Sequence, residues 1–162
     1  MGNGFFGKLP AHGDFVARGL PVGARQVLDR WLTQVLRLCG PAPEDWPPGG
    51  LRALIAHAGA PMALLILPSR DAAGREFPLA AVSPTDAAGH AQIELWAEAV
   101  LPVLHDAAEG ALDADALIGR LEDMAALPPA ACIELAPPLF WTRATPPEDP
   151  PRLAARMMAD RA

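Results

Sequence analysis

The chain has 162 residues, 51% of them hydrophobic, and a formal net charge of −6. That length suits one domain with a substantial buried core. An acidic balance, a single lysine (Lys8) and scattered arginines provide no basic stripe to follow a phosphate backbone, which argues against nucleic acid. The longest apolar run, Met62 to Leu67, falls far short of the ~20 residues of a spanning helix, so no membrane insertion is expected. The opening Met-Gly-Asn-Gly-Phe-Phe has no basic lead into an apolar stretch, and a cytoplasmic location is expected. Cys39 and Cys132 lie far apart in apolar surroundings and read as buried reduced thiols.

Gly4 to Pro10 reads as a short strand turning at Pro10 to Gly13, and Asp14 to Arg18 as a second strand. A helix is expected from Ala24 to Cys39, because Leu28, Trp31, Leu32, Val35, Leu36 and Cys39 recur three and four apart. Gly40-Pro41 ends it, and Pro41 to Gly50 forms a rigid loop carrying Trp46. Three strands follow, at Leu51 to Ala56, Met62 to Leu67 and Phe77 to Val82. Met62 to Leu67 is apolar at every position, the pattern of a central strand covered on both faces.

The second half reads as largely helical. Ile93, Trp96, Ala97, Val100 and Leu104 make one stripe, and Asp113 caps a further helix through Leu117, Ile118, Leu121 and Met124. Ala131 to Leu135 and Leu139 to Thr142 suit edge strands. A last helix starts at the cap Asp149 with Pro150 just inside. The expected fold is one α/β domain over residues 1–162, a three-layer α/β/α sandwich with a mixed central sheet.

Local signatures for chemistry are absent. Gly2 to Lys8 matches GxxxxGK, but Leu9-Pro10 follows where a phosphate loop needs Ser or Thr. His12, His57, His90 and His105 lack the spacing of a metal set, and no serine lies in a GxSxG elbow. No cofactor, metal or catalytic residue is assigned. Polar residues instead concentrate in two loops, with Lys8, His12, Asp14 and Arg18 in one and Ser69, Arg70, Asp71 and Arg75 in the other. They suit a structural role, an Asp–Arg pair fixing one loop against the other, and equally a recognition surface.

Gly4-Phe5-Phe6-Gly7-Lys8-Leu9-Pro10, then Gly13-Asp14-Phe15-Val16, Arg18 and Leu20-Pro21, resembles the N-terminal signature of the TagF (ImpM) proteins of type VI secretion. Asp29, Trp31 and Leu32 fit that family's first helix. A second signature also fits, Pro68-Ser69-Arg70-Asp71, Gly74-Arg75 and Phe77-Pro78-Leu79. The chain departs from the family at Leu28 and Glu76, where aromatics are usual, and in a shortened Pro41 to Gly50 segment.

The resemblance implies an α/β/α sandwich and a non-enzymatic, cytoplasmic, post-translational repressor of type VI secretion. It implies action by sequestering a component such as a forkhead-associated scaffold protein, with a functional link to a PP2C-type phosphatase. Lys8, Asp14, Arg18, Ser69, Arg70, Asp71 and Arg75 are then the expected partner-binding residues. Two other classes compete. A small hydrolase or small-molecule-binding domain would gather His12, Asp14 and Ser69 in a pocket. A structural subunit of the apparatus would assemble into rings or sheaths.

Overall fold

A computed structural model of the chain describes residues 2–85, 89–127 and 135–161. Among these residues six strands form one sheet: β1 (Gly4–Gly7), β2 (Val16–Arg18), β3 (Leu51–His57), β4 (Ala60–Leu67), β5 (Leu79–Pro84) and β6 (Leu139–Trp141). Their spatial order is β2-β1-β5-β4-β3-β6. Four helices accompany them: α1 (Ala24–Cys39), α2 (His90–Ala108), α3 (Ala114–Glu122) and α4 (Pro150–Arg161). The expected strand at 131–135 falls almost wholly outside the described residues, as does Cys132.

The mixed sheet expected from sequence is not what forms, because every strand pairing is antiparallel. The expectation rested on the unbroken apolar run of β4. Along that strand Met62, Leu64 and Ile66 enter a core shared with α1 and with Leu153 of α4. Ala63, Leu65 and Leu67 enter a second core shared with α2 and α3. Both faces are therefore dry, and an antiparallel strand so placed needs no polar alternation. Short connections set the strand directions instead. Ala58 and Gly59, both at positive φ (53° and 78°), form the two-residue turn that joins His57 to its partner Ala60.

Capping agrees with the sequence. The Asp113 carboxylate accepts from the Ala116 N–H at 2.8 Å, and Asp149 accepts from the Arg152 N–H at 2.9 Å. Each large aliphatic side chain fully buried beneath these helices stabilises the fold by ~1.5–3 kcal/mol. Leu28, Leu32, Ile93, Val100, Leu104, Leu117 and Leu121 are all completely buried.

Gly7 sets the course of the chain into the first polar loop. It ends β1 at φ +145°, and a Cβ there would lie 2.2 Å from the Pro78 carbonyl oxygen. Only a residue without a side chain lets β1 run this close to the entry of β5. Gly13, by contrast, has open space where a Cβ would stand. Gly7→Ala is expected to cost about 2 kcal/mol or more, and Gly13→Ala to stay within about 0.5 kcal/mol. Thermal melts of the two variants check both.

Candidate functional site

Beyond Gly7 the chain turns inward, and the Lys8 side chain is buried against Asp71. Their closest atoms, Lys8 Nζ and Asp71 Oδ2, stand 3.3 Å apart. The ammonium also lies 4.9 Å from the centre of the Phe15 ring. Phe15 stacks on Phe6 at 5.9 Å and meets the edge of Phe77 at 4.8 Å, so three aromatics form the floor of the site.

Asp71 joins the two loops singled out in the sequence. Its side chain is fully buried. Oδ1 accepts from the backbone N–H groups of Ala73 and Arg75, both at 2.9 Å. Oδ2 takes the Arg75 Nε at 2.7 Å. The same Arg75 side chain crosses to the first loop and donates to the Gly13 carbonyl at 2.8 Å. Three further bonds reinforce the contact. Ser69 Oγ donates to the Lys8 carbonyl at 2.7 Å, and the Ala72 N–H donates to the His12 carbonyl at 2.7 Å. His12 Nε2 accepts from the Ala114 N–H at 3.0 Å, which ties the first loop to α3.

Burial alone would raise the Asp71 carboxyl pKa. The Arg75 N–H, the Lys8 ammonium, the Ala73 N–H and the Arg75 charge outweigh it and hold the group at about 2. Because the folded value is depressed, the stabilisation is complete above the ordinary value of 3.8 and lost as pH falls through about 2.

Of the seven partner-binding residues expected from sequence, the structure brings Lys8, Ser69, Asp71 and Arg75 together. Asp14, Arg18 and Arg70 are exposed, Asp14 and Arg70 within the two loops and Arg18 on β2 opposite Phe5. Asp14 bonds its neighbour's amide, Phe15 N–H, at 2.7 Å, and Arg18 bonds the Ala17 carbonyl at 3.0 Å. Arg70 faces Glu76 across an isolated bridge. His12, Asp14 and Ser69 do not assemble into a reactive set. Each side chain bonds backbone, and among the described residues no hydrogen bond joins any two of them. The GxxxxGK segment contains strand β1, and the lysine that follows the strand faces Asp71 rather than a phosphate site.

A second polar centre went unread. Arg52, in the middle of apolar β3, is completely buried. It pairs with two carboxylates of α2, Glu94 at 3.3 Å and Glu98. Arg143, just after β6, grips Glu98 at 2.9 and 2.6 Å, while the Trp141 indole N–H donates to Glu94 at 2.6 Å. The Arg143 guanidinium, with Arg52 beside it, holds the Glu98 carboxyl below its ordinary range. An arginine inside Leu51-Arg52-Ala53-Leu54-Ile55, with glutamates one helical turn apart at 94 and 98, was the available signal.

An antiparallel α/β sheet carrying two clamped loops at one end defines a protein whose distinctive residues lie in loops. Comparison with known proteins supplies the family. The model of the TagF N-terminal domain, type VI secretion system-associated, matches residues 4–126, and the chain belongs to that family. It is also similar to the crystal structure of PA0076 from Pseudomonas aeruginosa PAO1, at 29% identity and a TM-score of 0.61. That likeness covers 98% of this chain and 77% of the other. No curated protein matches the chain. Both clamped loops fall inside the matched segment, whereas β6, Arg143 and α4 lie beyond it.

Asp71→Asn is expected to lower Tm by several degrees at pH 7. The gap to the wild type should narrow as pH falls from about 4 to about 2, where the native carboxylate itself protonates. Melts across that range check it. Arg52→Ala, which removes a completely buried side chain and leaves Glu98 to Arg143 alone, should cost about 2 kcal/mol or more in urea unfolding.

Proposed function

We propose that this chain is a cytoplasmic regulator that represses type VI secretion by binding a component of the system, not by catalysis. The observation that carries this reading is the division of labour in the two loops. Lys8, Ser69 and Asp71 are turned inward and lock the loops together. Asp14, Arg70 and Arg75 remain exposed on the loops thus made rigid, and Arg18 is exposed on the adjoining strand β2. A preorganised polar surface of this kind binds without the entropy cost of ordering loops. Membership of a type VI secretion-associated family supports a protein partner in that system.

Within this reading the exposed four residues contact a forkhead-associated scaffold protein, and a PP2C-type phosphatase acts in the same circuit. No helix among the described residues is long and apolar enough to cross a membrane. The 162 residues act as one domain. In support, β6, outside the matched family segment, pairs with β3 inside it through Ala53 and Phe140.

Affinity capture from a lysate of the chain's own host, with mass spectrometry, tests the reading. Wild-type bait should recover a forkhead-associated or other type VI component. A triple variant, Asp14→Ala, Arg18→Ala and Arg70→Ala, should recover at least about tenfold less of it with an unchanged melting curve. Equal recovery by the variant would return the exposed residues to a purely structural role.

A further inference from the structure

Beside the second clamped loop, a cleft of about 800 Å³ opens between the proline-rich segment 41–50, the end of β4 and the last turns of α2. Its volume is that of a ligand site, which commonly spans ~300–1,000 Å³. Trp46, Pro47, Leu67 and Leu101 supply apolar walls. The segment that forms one wall is internally braced. The Trp46 indole N–H donates to the Gly40 carbonyl at 3.0 Å, and the Gly50 N–H to the Pro47 carbonyl at 2.9 Å. Prolines fix much of the remaining backbone, so the cleft is preformed.

Its charge is one-sided. Glu44, Glu76, Asp106 and Glu109 line it, and all four are exposed. Two arginines share the lining, but the Arg143 charge is already met by Glu98 through two hydrogen bonds. Against the four carboxylates the lining otherwise holds only Arg70, which faces Glu76, and His105, 3.6 Å from Glu109. The carboxylates come from three separate parts of the chain, the turn at 43–45, the approach to β5 and the C-terminal end of α2 with its cap residue Glu109. One compact cation cannot meet all of them across an apolar floor. A chain that alternates basic and apolar side chains can.

We propose that this cleft binds an extended basic peptide segment of a partner protein, its apolar side chains on the Trp46–Leu101 floor and its cationic groups on the acidic rim. The cleft shares Ser69 and Arg70 with the second clamped loop, so the charge-reversal variants are placed at Asp106 and Glu109, outside both loops. A fluorescent hexapeptide of arginine, proline and leucine, and its glutamate counterpart, serve as probes in anisotropy titrations of the full chain. Wild-type protein should bind the basic probe saturably and more weakly as salt rises, and should ignore the acidic one. Asp106→Lys with Glu109→Lys should weaken binding at least about tenfold. Asp29→Lys with Glu122→Lys makes the same charge change on exposed positions outside the cleft, and should alter binding less than about twofold. Equal loss in both double variants would mean general attraction to an acidic protein and overturn the proposal. So would equal binding of the two probes, or no saturable binding of the basic one at about 1 mM.

Discussion

A carboxylate removed from water must be compensated at the spot, because an unpaired buried charge costs more than a small domain has to spare. Asp71 meets that requirement with two backbone N–H groups, one ammonium and one guanidinium. Its partners come from both sides of the clamp. Lys8 belongs to the first loop, Ala73 and Arg75 to the second, and Arg75 returns to the first through Gly13. Satisfying one buried oxygen pair therefore fixes the relative position of two segments more than sixty residues apart. The exposed Asp14 and Arg70 inherit their placement from that arrangement, whereas Arg18 is held on β2 by its pairing with Phe5 of β1.

The Arg52 centre does comparable work for the opposite half of the sheet. Glu94 and Glu98 hold α2 against β3 through Arg52, and against β6 through Trp141 and Arg143. The two centres differ in solvent access. Asp71 is fully enclosed, whereas Glu98 is nearly half exposed and its pairing with Arg143 is weakened by water. The value of the Arg52 centre lies in the buried guanidinium, which has no other source of compensating charge among the described residues.

Most elements were legible because their signals are local. The three-and-four spacing of Leu28, Leu32 and Val35 fixed α1, and Asp113 and Asp149 marked the starts of α3 and α4. Sheet direction was not legible, since an apolar run such as β4 reports covered faces and says nothing of its neighbours' polarity. Strand edges drifted for a related reason. Phe77 and Pro78 read as strand but belong to the loop closing the clamp, where the Phe77 N–H bonds the Ser69 carbonyl. At the site, the motif spacing singled out the two loops that the Asp71 clamp joins, and the possibility of an Asp–Arg pair between them could be stated. Which residues turn inward could not, because Lys8 is buried only through a partner sixty-three positions away. Arg52 escaped for the same reason, its two carboxylates lying over forty residues further along.

The central claim is that Asp71 orders the two loops locally, on a sheet that stands without it. Amide hydrogen exchange of wild type and Asp71→Asn at neutral pH tests this most directly. The account predicts that the Ala72, Ala73 and Arg75 amides lose at least about tenfold protection in the variant, while Leu64 and Leu65 of β4 keep theirs. Unchanged protection in the loop would contradict the clamp. An equal loss across loop and β4 would contradict its local character.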